Sequence, residues 1–364
     1  MPIPKKNQLV GLDIGSHSIK LAEIDHGKRG RLLRSFGLVP VPPGAIAEGS
    51  IKDMEAVASA IKSLYKNLRV RNKNVAVSLT GYALIAKRIA LEKMDETEME
   101  KAIQEEAEKY IPYDIDEVNL DFAVLNAGGE IEEGSVQEGQ AAGSKKMDVL
   151  LVAAKKDIVE EHVELIRAAN LNLGVLDADV FALQNAAEIS IDRPDGNYVI
   201  ITIGAGELGI NVVYKGMSSF SRDSSYGGNQ ITETIVAEYG LDYTEAERMK
   251  LGGVELDDQK KEGLGKIVSH EVSAWVKEIK RALDFVAATY PDEEINEIVL
   301  AGGSSRIEGF RPFLEQETNI PVVFLNPFKN LVFSNKLFDL EYLEYMAPQA
   351  GVAVGLALRS LGDK

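Results

Sequence analysis

Between residues 11 and 24 the chain reads GLDIGSHSIKLAEI, an apolar run that stops at Gly15-Ser16 and resumes at Ile19. This pattern predicts two strands joined by a tight turn. Residues 51–68 place Ile51, Met54, Val57, Ile61, Leu64 and Leu68 at helical spacing. NVAVSLTG and ALIAKRIAL then read as strands, and MDETEMEKAIQEEAEKYIP as a helix stopped by Pro112. VNLDFAVLN and MDVLLVAAK are two further strands, separated by the glycine-rich, charged run AGGEIEEGSVQEGQAAGSKK, which predicts a mobile loop. IVEEHVELIRAANL is a helix ending near Asn170. Strand, strand, helix, strand, strand, helix makes a compact α+β unit at about 75–165, set into a larger frame.

After a helix beginning near Asp179, the opening pattern returns in NYVIITIGAGELGINVVYKG. A shift of 189 residues lays Thr202-Ile203-Gly204 on Asp13-Ile14-Gly15 and puts Leu208 and Ile210 on Ile19 and Leu21. Two related turns, each opening one half, suggest a duplicated architecture. A turn of this kind points consecutive backbone N–H groups outward, as phosphate binding requires. Asp13 would sit at the same sheet end, where a carboxylate can hold magnesium. The same residues also describe an ordinary hairpin with a surface aspartate. Further on, Gly227-Gly228 precedes a helix, and DYTEAERMKLGG carries Glu247 and Lys250 on one helical face. In EIVLAGGSSRIEGF, Gly302 and Gly303 end an apolar strand, where missing side chains let a flat base approach. Arg306 follows, with a planar guanidinium suited to covering that base; a plain strand-to-helix turn fits equally.

At 364 residues the chain exceeds one comfortable core, so two lobes are expected. Cysteine is absent, and His17, His26, His162 and His270 are scattered, which removes disulfides, thiolate nucleophiles and histidine metal clusters together. A formal charge of −17 argues against nucleic acid and anionic lipid as partners, though not against a nucleotide held by local geometry. MPIPKKNQLV has no signal-peptide core, and VAVGLALRSL is too short to span a bilayer. A cytoplasmic protein without direct membrane insertion is expected.

In this order, these segments resemble the actin-like ATPase superfamily, which includes actin, DnaK-type chaperones, sugar kinases and FtsA. The resemblance implies an α/β, two-lobed actin-like ATPase fold of duplicated ribonuclease-H-like lobes with an inserted α+β subdomain. The first lobe would span 1–190, containing the insertion at about 75–165, and the second 191–346. Residues 347–364 would form a C-terminal helix packing back on the lobes, since APQAGVAVGLALRSLGDK lacks the basic face of an interfacial helix. ATP and Mg2+ are the implied cofactors. Gly15, Ser16, His17 and Ser18 are similar to the first phosphate loop, and Gly204, Ala205, Gly206 and Glu207 to the second. Lys20, seven residues beyond Asp13, is implied as a phosphate contact, and Glu247 and Lys250 as ribose contacts. Gly228, Gly302, Gly303, Ser304 and Arg306 are implied on the adenosine side. Asp13 and Asp179 are the implied catalytic acids, with Asp13 also on the metal.

The unit at about 75–165 resembles the branch of that superfamily that serves type IV pilus assembly. This implies docking of the N-terminal cytoplasmic tail of PilN, with ALIAKRIAL and VNLDFAVLN as groove walls. Other inner-membrane and motor components of the pilus, and self-association, are further expected partners. The protein would be peripheral to the inner membrane through its partner. One departure stands out. The second loop has Thr202 where the superfamily usually carries an aspartate, and Leu208 where a threonine is common, which predicts nucleotide binding with slow or negligible hydrolysis. An FtsA-like filament protein and a small-molecule kinase are the alternatives, although no acceptor-site motif is found.

Overall fold

Two five-stranded sheets of one plan form the frame of the molecule. The structure is a computed structural model, and it describes residues 7–27, 30–47, 49–94, 96–126 and 146–363. The first sheet runs, in spatial order, Asn172–Ala178, Asn74–Leu79, Val10–Ile14, Ser18–Gly27 and Gly30–Pro40. The second runs Val322–Phe324, Glu297–Ala301, Tyr198–Ile203, Leu208–Tyr214 and Met217–Ser224. In each, three antiparallel strands in chain order are joined by two parallel ones. The duplication suggested by the shifted motif is therefore a duplication of sheets. Asp13 faces Lys20 across the first hairpin, and Thr202 faces Gly209 at the matching place in the second.

The central strands are buried on both faces, as near-continuous apolar runs should be. Val10, Leu12, Ile19 and Leu21 share a core with Val57, Ile61 and Leu64 of the helix Met54–Leu68. That helix starts where the Asp53 side chain accepts from Ala56 N at 2.9 Å, and stops where Arg69 turns left-handed at φ 55°. In the second lobe the 32-residue helix Asp258–Thr289 lays Trp275 edge-on against Phe310, with ring centroids 5.8 Å apart.

The lobes meet through the helices Asp179–Glu188 and Gly351–Ala357. One core joins Leu9 and Ala76 of the first lobe, Tyr198, Ile200 and Val299 of the second, and Ala182, Ala186 and Leu356 of these helices. Every residue of Gly351–Ala357 is buried, so the C-terminal segment packs inside the protein. The approach is close enough to require glycine. A Cβ on Gly355 would lie 2.5 Å from the Ala182 carbonyl carbon, and one on Gly11 2.6 Å from Ala357 N.

A separate antiparallel sheet has the order Leu84–Glu92, Lys146–Lys155, Val118–Asn126, with the helix Glu96–Ala107 covering it through Met99 and Ile103. It is narrower than the predicted unit. Strand Asn74–Leu79 pairs with Val10–Ile14 and Asn172–Ala178, because Val75, Ala76, Val77 and Leu79 are buried on both faces as a central strand demands. Helix Lys156–Ala168 also belongs to the frame, with Leu165 and Ile166 in the first-lobe core. Residues 127–145, most of the predicted mobile loop, lie outside the described residues.

Candidate functional site

The ends of both hairpins open into one cleft of about 2350 Å³ between the lobes. Its first wall is the turn Gly15–His17. Gly15 leaves the Asp13–Lys20 pair uncovered: a Cβ there would sit 3.3 Å from Lys20 Nζ. Asp13 and Lys20 form an ion pair at 3.1 Å, with both side chains largely buried. Their cross-strand register explains the seven-residue spacing read in the sequence.

The second wall is the turn Gly204–Glu207, closed by Gly204 N donating to Glu207 O at 2.8 Å. Gly204 O accepts from Gly228 N at 3.0 Å and from the Ser304 hydroxyl at 2.8 Å, while Ala205 O accepts from Asn229 N at 2.7 Å. The turn thus rests on the first residues of the helix Gly228–Tyr239 and on the short turn Ser304–Arg306. Gly227, absent from the predicted set, is the sterically constrained residue here, since its Cβ would lie 2.5 Å from Ala205 O. The two turns face each other: a Cβ on Gly206 would be 3.6 Å from the Ser16 hydroxyl oxygen of the opposite lobe.

Asp179 lies at the cleft floor and accepts a hydrogen bond from the Ser78 hydroxyl. Burial, reinforced by the neighbouring Asp13 charge, raises its pKa well above the ordinary value. Burial likewise pushes Glu207 up to about 7, with the Asp223 charge adding to it and a Thr80 hydrogen bond opposing it. Thr80 Oγ1 donates to Glu207 Oε2 at 2.9 Å. Asp223 is also raised by burial, against a hydrogen bond from the Gly81 N–H.

The predicted residues gather in this one cleft, with Gly228 beneath its surface under Ser304 and Lys250. Several also make contacts within the protein. Lys250 Nζ donates to Glu247 Oε2 at 2.7 Å, Thr232 Oγ1 at 2.8 Å and Gly228 O at 3.0 Å, so its three donors are met within the protein. The other Glu247 oxygen lies 4.0 Å from His17 Nδ1, across the cleft. Gly302 has φ +87°, and its Cβ would meet the Ile203 backbone at 2.6 Å, so strand packing by itself requires glycine there. Gly303 faces more open space, with Gln349 Oε1 3.5 Å from a Cβ position. The Arg306 guanidinium covers the Tyr345 ring at 3.9 Å and donates to Tyr345 O at 2.7 Å. Ser78, Thr80, Asp223 and Asn229 were missed. The only local signal for the first two was the polar pair in SLTG, closing an apolar strand.

Duplicated sheets, crossing helices between them and paired turns facing one cleft define the actin-like ATPase fold. Ethanolamine utilization protein EutJ from Carboxydothermus hydrogenoformans shares it, with a TM-score of 0.56 at 14% identity, covering 98% of this chain and 91% of that one. MreB 5 of Spiroplasma citri bound to AMPPNP matches with a TM-score of 0.50 at 12% identity, covering 97% and 95%. Within this class the chain belongs to the family of type IV pilus assembly protein PilM, whose profile matches residues 11–361. The solved PilM-PilN type IV pilus biogenesis complex is similar at 29% identity and a TM-score of 0.81, covering 96% of this chain and 98% of the matched one. Family membership favours pilus assembly over the filament and kinase alternatives. Among the described residues no helix is long and apolar enough to cross a membrane.

Proposed function

We propose that this chain is a nucleotide-gated adaptor of the type IV pilus platform, holding ATP with Mg2+ between its lobes and docking the N-terminal cytoplasmic tail of PilN. The observation that carries the first half is the approach of the two turns, with Ser16 opposite Gly206. Glycines at both turns leave backbone accessible where a polyphosphate would lie, and Lys20 supplies a cation beside the first turn. Asp13 would hold the metal, and the Glu247 carboxylate opposite His17 would meet the sugar. The metal would offset part of the negative charge that the nucleotide and the cleft carboxylates bring together.

Gating follows if nucleotide favours the closed arrangement of the lobes and PilN distinguishes that arrangement from the open one. The outer strands of the inserted sheet, Leu84–Glu92 and Val118–Asn126, are the two proposed groove walls, and an outer strand can take an added strand through main-chain hydrogen bonds. Support for PilN itself comes from the related PilM-PilN complex. The adaptor would then work at the cytoplasmic face of the inner membrane, peripheral through its partner.

Hydrolysis is expected to be slow. Thr202 can orient a water or a ligand but carries no charge, and loss of one preorganised charge costs ~10²-fold or more in rate. Calorimetric titration of a synthetic PilN N-terminal peptide, with and without ATP and magnesium, tests the adaptor. Tighter peptide binding with nucleotide is expected, and equal affinity removes the gating. Sustained phosphate release at many turnovers per minute, abolished by Asp13→Ala, refutes the slow-hydrolysis reading.

A further inference from the structure

The second lobe grips the segment through which the first lobe passes into the inserted sheet. Strand Asn74–Leu79 belongs to the first sheet and strand Leu84–Glu92 to the inserted one, with the short turn Gly81–Ala83 between them. Two consecutive residues of this link are held by two second-lobe carboxylates. Thr80 Oγ1 donates to Glu207 at 2.9 Å, and the Gly81 backbone lies close enough to Asp223 to favour its charged form. Gly81 has φ +65°, and a Cβ there would lie 2.8 Å from Glu207 Oε1, so the link is shaped to admit the carboxylate. Gly209 has the same relation to Asp223. Its Cβ would be 3.0 Å from Asp223 Oδ1, and only glycine lets the carboxylate lean across the sheet.

Glu207 is the last residue of the second turn, and Ala205 in that turn is fixed to Asn229. We propose that Glu207 and Asp223, clasping Thr80 and Gly81, form a latch that transmits the position of the second turn to the inserted sheet, so that occupancy of the cleft sets the posture of the docking surface. The proposal rests on the nucleotide-gated adaptor reading and names the residues that would carry its coupling. Burial raises the pKa of both carboxylates, and the contacts from the link oppose that shift. Coupling through such a contact needs no long chain of intermediates, because the latch touches the turn at one end and the inserted sheet at the other.

The test uses the full-length protein and Thr80→Val, which keeps the side-chain shape and removes the hydroxyl donor. Titrations with ATP and magnesium, and with the PilN tail peptide with and without nucleotide, give the coupling as a ratio of peptide affinities. Wild type is expected to show a ratio of ten or more, within the usual range for coupled sites. In Thr80→Val the ratio, taken at saturating nucleotide whatever the variant's own nucleotide affinity, falls below about three. Hydrogen exchange gives a second readout that needs no peptide. Nucleotide slows exchange over residues 81–92 in wild type and does not in Thr80→Val. If wild type couples and Thr80→Val retains the wild-type ratio and protection, the latch is refuted while the adaptor stands. If wild type binds without coupling and without protection, gating and latch fall together.

Discussion

Replacing Gly355 by alanine tests the joint between the lobes. The added Cβ would lie 2.5 Å from the Ala182 carbonyl carbon and 3.0 Å from its Cα, where ordinary Cβ contacts begin at about 3.4 Å. Both partners are backbone, in helices whose neighbours Ala353, Leu356, Ala182 and Ala186 are fully buried, so no side chain can rotate away. The nearest atom is the Ala182 carbonyl oxygen, closer still, so the helices must part by roughly 1.5 Å or more, at a cost at or above the top of the ~1–3 kcal/mol range for overpacked cores. A loss of about 3 kcal/mol lowers the folded-to-unfolded ratio more than a hundredfold. Thermal and urea unfolding report the loss, and nucleotide titration reports its effect on the cleft, since these helices set the spacing of the lobes. Gly265→Ala is the control. It lies in the helix Asp258–Thr289 with nothing within 4 Å of its Cβ position, and is expected to stabilise by about 0.5–1 kcal/mol. An unshifted unfolding midpoint and unchanged nucleotide affinity in Gly355→Ala would show that the helix crossing does not constrain the lobes.

The raised pKa of Glu207 gives a signed pH dependence. The folded chain keeps this proton to about pH 7 and the unfolded chain sheds it near 4.5, so stability falls as pH rises through that window, by up to ~3 kcal/mol before solvent screening reduces it. Glu207→Gln is expected to flatten the fall between pH 5 and 8 in urea titrations, and an equally steep variant refutes the assignment. Thr202→Asp is expected to recover less than the ~10²-fold that a preorganised charge is worth and to lower stability at pH 8, because its carboxylate would face Asp223 across Gly209 with no lysine opposite. Adding Asp223→Asn should recover that stability, and a full ~10²-fold rise in release from Thr202→Asp alone, with no loss of stability, would refute the argument.

The twin turns were legible because each combines apolar strands with a glycine-containing turn, and because the second repeats the first at a fixed offset. Local pattern suffices for such features. Strand 74–79 was read into the inserted unit, although it pairs in the first sheet, since NVAVSL reads alike in a central strand and in an insertion. Its burial on both faces is decided by strands 10–14 and 172–178, which sequence distance hides. The roles of Lys250, Gly302 and Arg306 could not be read for a related reason. Motif position brings a side chain to the right region, but its partners, such as Thr232 or Tyr345, lie elsewhere in the chain. Thr80 and Asp223 escaped notice entirely, because their value lies in a contact between lobes, and Thr80 is 127 residues from Glu207.

The two turns are unequal in a way that assigns them different work. The first carries its own charges, Asp13 and Lys20, opposite one another on adjacent strands. At the matching place the second has Thr202 and Gly209, and a lysine at 209 is excluded because even its Cβ would lie 2.9 Å from the Thr202 methyl. What the second turn has instead is connections. Its backbone reaches the helix at Gly228 and the Ser304 turn, and Glu207 reaches the link to the inserted sheet. A displacement of this turn is therefore shared at once among the surfaces assigned to sugar, base and partner, whereas a change at Asp13 is compensated locally by Lys20. A self-contained ion pair at the first turn, and mechanical connection at the second, suit the nucleotide sensor proposed above.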